Sequence, residues 1–295
     1  MIISPYRVSR RELLGLGLAV SAVTLAPVSA WADSTLDRIK STGKVGVGIA
    51  NEKPYGYVET DGRLVGAVPD VIVAALAPYG VKSMQAEIVE FNALIPGLNA
   101  GRFDIIGAGM YIRPKRCEAI AFSNPMTRLG YGFAALKGNP KGVHSIADVA
   151  KKTDAVVGTQ NGSAQVEELQ KAGVPSGQVV LFANATEALA GLKASRCDVI
   201  YFPSLELNEV LKTANDPSVE RVADFKQVVD EHGDPDYGYS ALGLRQADKD
   251  LKAALDAEIG KMLTSGKLLE IIAKYGYGQG ELPTPKDTAE RLCKA

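Results

Sequence analysis

Two short segments of the chain combine polar groups that suit the binding of a small anion. The first is "GMYIRPKR" (residues 109–116), where a tyrosine and three cationic side chains directly follow the apolar run "FDIIGAG". A guanidinium such as that of Arg116 binds a carboxylate through two parallel hydrogen bonds. The second is "NGSAQ" (161–165), where Ser163 and the amides after it either cap a helix or hold an anion. A solvated loop is the alternative for the first segment, and helix capping alone for the second.

Residue types that support catalysis or metal binding are sparse. The two histidines, His144 and His232, are too few for a histidine-rich metal site. The three cysteines, Cys117, Cys197 and Cys293, are too scattered for a disulfide framework or a metal cluster, and at most one bridge can form. We expect Cys117 and Cys197 to be small buried hydrophobic side chains. We predict no catalytic residue, no bound metal and no cofactor.

The first 32 residues have the pattern of an export signal. The segment "SRRELLGLGLAVSAVTLAPVSAWAD" combines a basic start, an apolar stretch and a small-residue cleavage site before Asp33. Arg10 and Arg11 match the twin-arginine consensus. A membrane anchor needs about 20 apolar residues, and this apolar core is shorter and is interrupted by proline. We therefore predict a twin-arginine-type signal peptide over residues 1–32 and a periplasmic mature protein.

The mature chain is mildly acidic. Removal of residues 1–32 leaves 30 Lys and Arg and 33 Asp and Glu, a net charge of −3. A nucleic-acid partner is not expected, because that function needs clustered positive charge. The remaining length exceeds that of one typical domain, so we expect two lobes.

An internal repeat supports two related lobes. The segment "GLNAGRFDII" (97–106) aligns without gaps on "GLKASRCDVI" (191–200), with six of ten positions identical. Each copy follows a helical pattern and leads into an apolar run rich in β-branched residues, which indicates a helix, a tight turn and a buried parallel strand. The chain therefore contains a repeated α/β unit.

The alternation of strand and helix patterns predicts mostly parallel sheets. In such sheets ligands bind beyond the carboxyl ends of the strands. That rule puts "NEKPYGY", "GAGMYIRPKR", "TQNGSA" and "YFPSLE" on the surfaces that can enclose a ligand.

Two extended segments, 128–138 and 236–245, are predicted to cross between the lobes. We predict lobe one over residues 34–130 plus 240–295, and lobe two over residues 131–239. A hinge of two strands permits closure around a ligand.

These segments resemble the amino-acid-type periplasmic solute-binding proteins of ABC importers. The resemblance covers nearly the whole mature chain and depends on "KPYGYVETDGRLVGAVPDV", "IPGLNAGRFDIIGAGMYIRPKR", "VGTQNGSAQVEEL" and "YGYSALGLRQADKDLKAALDAEI". Within the family the chain is most similar to binding proteins for ectoine and 5-hydroxyectoine, mainly through "NEKPYGY", "GMYIRPKRCEAIAFSNP" and "DPDYGYSALGLR". The resemblance implies an α/β fold of two lobes, each a mostly parallel sheet flanked by helices.

The resemblance also implies a role for Arg116, which matches the family arginine that holds a ligand carboxylate. A surface cation or an internal ion pair is the alternative for this residue. Arg113 and Lys115 are expected to stay solvated or to pair nearby, because the family has a small hydroxyl residue at the position of Arg113.

The same resemblance places Ser163, Ala164 and Gln165 at the ligand in lobe two. The second hydroxyl residue that is usual in the family is absent at Ala164, so the contact with a carboxylate there would rest on backbone amides.

The family aspartate that accepts a ligand's α-ammonium falls on Pro203, which has no carboxylate. An ordinary α-amino acid is therefore disfavoured as the ligand, unless Ser204 or Glu206 substitutes. We include Ser204, but not Glu206, among the predicted ligand-binding residues.

Aromatic residues complete the predicted pocket. Tyr55, Phe91 and Tyr111 fall where related proteins line their ligand, Gly109 lies beside them, and Glu52 is expected to accept hydrogen bonds from ring N–H groups. Aromatic faces around a cation attract it by roughly 0.5 to 2 kcal/mol each. Core packing is the alternative for each aromatic residue taken singly.

We therefore expect a monomeric receptor, not an enzyme, that binds a small zwitterion such as ectoine or 5-hydroxyectoine and delivers it to a membrane permease. A receptor for a polar amino acid is the main alternative, and a periplasmic dehydratase-like enzyme on the same fold is a second. Catalysis would need a carboxylate of raised pKa, or a nucleophile and a base, converging in the cleft. A receptor that signals rather than transports also stays open.

Overall fold

The structure is a computed structural model, and it describes residues 34–229 and 235–294. The predicted signal peptide lies outside the described residues. The strands are β1 (Lys44–Ile49), β2 (Tyr57–Val58), β3 (Leu64–Val65), β4 (Ser83–Ile88), β5 (Ile105–Ile106), β6 (Ala121–Phe122), β7 (Thr127–Leu129), β8 (Tyr131–Leu136), β9 (Val157–Gln160), β10 (Val179–Phe182), β11 (Val199–Pro203), β12 (Val219–Arg221), β13 (Gly238–Ser240) and β14 (Gly243–Leu244). The helices are α1 (Thr35–Thr42), α2 (Ala67–Leu76), α3 (Leu94–Asn99), α4 (Pro114–Ala119), α5 (Ile146–Lys151), α6 (Ala164–Lys171), α7 (Ala185–Lys193), α8 (Ser204–Ala214), α9 (Lys249–Thr264), α10 (Lys267–Ile272) and α11 (Ala289–Leu292).

The first sheet has the strand order β4-β1-β5-β14-β6. Strand β1 pairs in parallel with β4 and β5, whereas β14 runs antiparallel to β5 and β6. Val45, Val47 and Ile49 alternate along β1 and are fully buried, which is the period expected when one face of a strand packs on the core. Helices α1 and α3 contact β1, and α2 and α9 pack against each other.

The second sheet has the order β10-β9-β11-β8-β12 and repeats this arrangement. Strand β9 pairs in parallel with β10 and β11, and β8 runs antiparallel to β11 and β12. Each sheet is therefore mostly parallel, as predicted, with four strands in one direction and a single strand that runs against them. The physical reason is the route of the chain between the lobes. The opposed strand is β14 in the first sheet and β8 in the second, and each of them directly follows a strand of the hinge.

The sequence repeat corresponds to one structural unit that occurs twice. The pairs α3–β5 and α7–β11 are each a helix, a tight turn and a strand beside the first strand of its sheet. The repeated aspartate has the same role in both copies: Asp104 accepts the amide of Gly46 at 2.9 Å, and Asp198 accepts the amide of Val156 at 2.8 Å. The aspartate shared by the two copies is thus explained by the way each turn is attached to its sheet.

Two strands connect the sheets. Strand β7 pairs with β13 in an antiparallel ribbon, in which Thr127 lies opposite Ser240 and Leu129 opposite Gly238. Strand β7 is followed by β8 of the second sheet, and β13 by β14 of the first. The α/β fold of two lobes with a two-strand hinge is confirmed, and the lobe boundaries given above stay predictions.

The expectation that Cys117 is a free buried side chain is wrong, because it forms a disulfide with Cys293. The two residues are 176 positions apart in sequence and 5.8 Å apart between their Cα atoms, a separation that a disulfide spans without strain. The pairing depends on the C-terminal segment with α11 returning to α4, which the sequence did not indicate. Cys197 is a buried free thiol, as expected, and burial raises its pKa to about 12.

Candidate ligand-binding site

A small cavity of about 30 Å³ lies where loops from the two sheets meet. The loops that surround it follow the carboxyl ends of parallel strands: Glu52 and Tyr55 come after β1, Gly109 after β5, and Ser163 after β9. The cavity is lined by Glu52, Tyr55, Phe91, Ala108, Gly109, Tyr111, Arg116, Gln160, Ser163, Ala164, Gln165, Phe202, Pro203 and Glu206.

Arg116 is a half-buried cation on α4 that contacts both lobes. Its guanidinium donates to the carbonyl of Tyr111 at 2.8 Å and to the carbonyl of Gly162 at 2.9 Å. Burial, and then the nearby charge of Arg113, lower its pKa to about 10. Within residues 34–229 and 235–294, no carboxylate lies within 4.0 Å of this guanidinium. Arg116 is therefore a cation whose environment favours an incoming anion.

Glu52 and Glu206 are two buried carboxyl groups in the same cavity. Burial raises the pKa of Glu52 to about 8, an effect that a hydrogen bond from the Gln160 amide partly offsets. Burial, and then the negative charge of Glu52, raise the pKa of Glu206 well above its usual range. The Oε1 atom of Glu206 has no hydrogen-bond donor among the described residues. A cation placed between these two groups would favour their ionised forms.

Tyr55 and Tyr111 are two aromatic side chains that line the cavity. Both rings are buried, and neither hydroxyl has a hydrogen-bond partner in the described part of the chain. Two close approaches hold the rings in place. A Cβ atom at Gly109, whose φ is +65°, would lie 2.6 Å from the ring of Tyr55, and one at Gly238 would lie 2.0 Å from the ring of Tyr111. Only glycine fits at these two positions.

Phe91 is half-buried and lies beside Arg116. The guanidinium carbon of Arg116 is 5.6 Å from the centre of the Phe91 ring, which is within the range of a cation-π contact. Phe91 thus holds the arginine as well as forming part of the cavity wall.

Ser163 precedes α6, and its side chain forms no capping hydrogen bond. Its hydroxyl is buried and has no partner among the described residues. The first amides of a helix lack partners within that helix, so Ala164 and Gln165 offer N–H groups beside this hydroxyl. The geometry favours an anion at the start of α6 over capping by Ser163.

A second group of side chains joins the lobes beside the cavity. The Arg113 guanidinium forms an ion pair with Glu168 and donates to the hydroxyl of Tyr131 at 3.0 Å. Glu168 also accepts from the hydroxyls of Tyr131 at 2.6 Å and Tyr201 at 2.7 Å. Arg113 therefore pairs nearby, as expected, and is a contact between lobes.

The cavity brings together nine of the ten residues predicted from the sequence. The exception is Ser204, which does not line it. Ser204 is the first residue of α8, where its amide donates to the carbonyl of Gly130 at 2.9 Å and its carbonyl accepts from Arg221 at 3.0 Å.

Five lining residues were not in the predicted set: Ala108, Gln160, Phe202, Pro203 and Glu206. Gln160 ends β9, so the rule that ligands bind beyond strand ends contained a signal for it. Glu206 lies in the first turn of α8. The sequence analysis named it only as a substitute acceptor, because its burial depends on how α8 packs.

No cluster of three metal-ligating side chains occurs among the described residues. In the same part of the chain, no helix combines the length and apolar character needed to cross a membrane.

Comparison with known proteins identifies the family. The model of the bacterial extracellular solute-binding proteins, family 3, matches residues 45–279. The chain belongs to this family. This solute-binding protein is 29% identical over 262 residues to a probable amino-acid ABC transporter periplasmic-binding protein of Sinorhizobium fredii. The match covers 88% of this chain and 86% of the relative.

Two solved structures are similar to this solute-binding protein. The crystal structure of EhuB in complex with hydroxyectoine is 35% identical, with a TM-score of 0.79, and the match covers 88% of this chain and 97% of that one. The ancestral amino acid-binding protein AncCDT-1, a precursor of cyclohexadienyl dehydratase, is 25% identical, with a TM-score of 0.70, covering 82% and 99%. The fold is that of a two-lobed binding protein.

Proposed function

We propose that this protein is a periplasmic receptor that binds ectoine or 5-hydroxyectoine and delivers it to an ABC permease. The observation that carries the proposal is the charge of the cavity, which contains the guanidinium of Arg116 and the carboxyl groups of Glu52 and Glu206. Such a set suits a zwitterion, because each charge of the ligand meets an opposite one. The similarity to a structure that contains hydroxyectoine supports the same ligand class.

The aromatic side chains favour a ring with a spread positive charge over a compact ammonium. A primary ammonium needs up to three hydrogen-bond acceptors. A ring amidinium spreads its charge, so it binds against aromatic faces and needs fewer hydrogen-bond acceptors. Tyr55 and Tyr111 supply such faces, and Glu52 and Glu206 supply the acceptors for ring N–H groups.

A receptor for a polar amino acid is the second candidate, and a specific observation favours it. Pro203 cannot accept an α-ammonium, but Glu206 lies in the cavity and offers a buried carboxyl oxygen that has no donor. This acceptor weakens the sequence argument against α-amino acids.

An enzymatic role is disfavoured. Glu52 has the raised pKa that a general acid needs. The same raised pKa suits a receptor, however, because two buried carboxyl groups side by side avoid the cost of unpaired charge by staying protonated until a cation arrives. Members of the family are solute-binding proteins of transporters, and we propose that this chain catalyses no reaction and binds no cofactor.

Ligand entry requires the lobes to separate. A cavity of about 30 Å³ holds about one water molecule, and contacts between the lobes, such as that of Glu52 with Gln160, close it. The ribbon of β7 and β13 is the hinge about which the lobes would move. We propose that the receptor is a monomer exported by a twin-arginine signal over residues 1–32.

A thermal-shift screen on ligand-free protein tests the proposed ligand class. Ectoine or hydroxyectoine at about 100 times its Kd should add about 2.7 kcal/mol to the free energy of unfolding, and glutamine or histidine at the same concentration should add much less. Glu206→Gln is the informative variant, since it removes the acidic acceptor but keeps the side-chain volume. Stabilisation of the wild type by an amino acid with none by ectoine would favour the second candidate. No stabilisation by any zwitterion would overturn the receptor assignment.

A further inference from the structure

Arg113 joins the two lobes beside the cavity. It directly precedes α4, which contacts β6 of the first sheet. Its guanidinium forms an ion pair with Glu168 of α6, which contacts β9 of the second sheet. Little of either side chain is exposed to solvent, 14% for Arg113 and 5% for Glu168. The attraction between these charges is therefore screened much less than that of a surface pair.

The second lobe contains a preformed acceptor for Arg113. The hydroxyls of Tyr131 and Tyr201 donate to the two carboxylate oxygens of Glu168, at 2.6 and 2.7 Å. The two tyrosines lie on neighbouring strands of the second sheet, β8 and β11, with their ring centres 5.3 Å apart. Glu168 and both tyrosines thus belong to one lobe and keep these hydrogen bonds when the lobes separate. In this group, the contacts that depend on closure are those of Arg113 with Glu168 and with the Tyr131 hydroxyl.

The ion pair differs from a neighbouring contact between the lobes in its relation to the ligand. Arg116 also joins the lobes, because it donates to the carbonyl of Gly162 at 2.9 Å. Arg116 lines the cavity, however, so a ligand carboxylate would change its contacts. Neither Arg113 nor Glu168 is among the described residues that line the cavity. Their ion pair can therefore form whether or not a ligand is bound.

An aromatic contact connects the ion pair to the cavity wall. The ring of Tyr131 meets the ring of Tyr111 edge to face, with the ring centres 6.1 Å apart. Tyr111 follows β5 of the first sheet and lines the cavity, whereas Tyr131 belongs to the second sheet. The closed position of Arg113 therefore coincides with the completed wall.

We propose that Arg113 and Glu168 form a latch that favours the closed arrangement of the lobes before a ligand binds, so that Arg113 sets the affinity without touching the ligand. The inference rests on the proposed receptor function. When the binding-competent arrangement is only partly populated, the apparent Kd is the intrinsic Kd divided by the closed fraction. Loss of the latch lowers this fraction, and every ligand is then weakened by the same factor. Loss of a side chain that touches the ligand would weaken different ligands to different degrees.

Small-angle X-ray scattering of the ligand-free protein tests the latch without any ligand. Arg113→Met removes the charge, keeps a long side chain and should increase the radius of gyration, because the open arrangement gains population. Glu168→Gln is an independent variant that should have the same effect. Arg113→Lys keeps a cation and should restore a radius close to that of the wild type. Lys252→Met is the control and should change nothing, since its partner Asp256 lies one turn away on α9 of the same lobe.

Calorimetry with ectoine and 5-hydroxyectoine measures the second consequence. In Arg113→Met both Kd values should rise about tenfold or more, since loss of one partner of a buried ion pair is strongly unfavourable. The ratio of the two Kd values should stay that of the wild type. Lys252→Met should leave both Kd values unchanged.

Equal radii of gyration for the wild type and Arg113→Met would overturn the latch, as would Kd values that stay the same or change by different factors. If ectoine fails to bind and the radii differ, the ectoine assignment is lost and the latch stands. If ectoine binds and neither the radii nor the Kd values respond, the latch is lost and the proposed function stands.

Discussion

Replacement of Glu52 by glutamine should stabilise the ligand-free protein, and the gain should grow with pH. Burial raises the pKa of Glu52 from its ordinary value of 4.5 to about 8. The folded protein therefore holds a proton that the unfolded chain has released. The stability that this proton contributes is complete below about pH 4.5 and is lost as the pH rises through about 8. Glutamine has no proton to lose, and its carbonyl oxygen can still accept from Gln160.

The size of the effect follows from the two pKa values. A shift of one pKa unit corresponds to about 1.36 kcal/mol, so a rise from 4.5 to about 8 corresponds to about 5 kcal/mol in full. Between about pH 5 and about pH 8, the free energy of unfolding of the variant minus that of the wild type should rise by about 3 to 4 kcal/mol. Glu206 titrates with Glu52 as a buried pair, so the measured change belongs to the pair.

Urea denaturation of the ligand-free wild type and of Glu52→Gln at several pH values provides the measurement. The free-energy difference between the two proteins is the quantity to plot, because the other titrating groups cancel in it. The exposed substitution Glu270→Gln is the control and should give a flat difference. Parallel pH profiles for the wild type and Glu52→Gln would refute the claim that Glu52 is a buried carboxyl group of raised pKa.

Three further outcomes are expected. Arg116→Ala should leave the fold intact and weaken ligand binding by hundreds-fold or more in calorimetry, since loss of one partner of a buried ion pair costs on the order of 3 to 5 kcal/mol; unchanged affinity would remove Arg116 from the site. Reduction of the Cys117–Cys293 disulfide, or replacement of both cysteines by serine, should lower the free energy of unfolding by about 2 to 5 kcal/mol, because the disulfide joins residues 176 positions apart. Equal denaturation curves with and without the disulfide would contradict this. Replacement of Arg10 and Arg11 by lysine should leave uncleaved precursor in the cytoplasm on an immunoblot, and normal maturation would exclude the twin-arginine route.

The fold could be predicted because its signals are local or repeated. The apolar alternation of β1 and the copied helix-turn-strand unit are visible in the sequence, and the unit recurs in equivalent places of the two sheets. The antiparallel strands β8 and β14 were harder to predict. Their direction depends on the route of the chain through the hinge rather than on any local pattern.

Some residues of the candidate site could likewise be predicted from the sequence, and others could not. Arg116, Tyr111 and Ser163 lie in segments that follow predicted strands, and the family resemblance pointed to the same residues, which all line the cavity. Glu206 lies on a helix whose packing decides whether the carboxyl group is buried, and Cys117 depends on a C-terminal segment that returns from 176 residues away. Such contacts between distant parts of the chain have no signature in a single sequence.

Titration calorimetry of the ligand-free protein with ectoine tests the central claim most directly. The charges and aromatic faces of the cavity predict a Kd in the micromolar range or lower, about −8 kcal/mol. They also predict the release of a proton near neutral pH, since the ligand cation favours the ionised forms of Glu52 and Glu206. Comparison of buffers with different ionisation heats detects that release. Tight binding of a standard amino acid with no heat from ectoine would contradict the account.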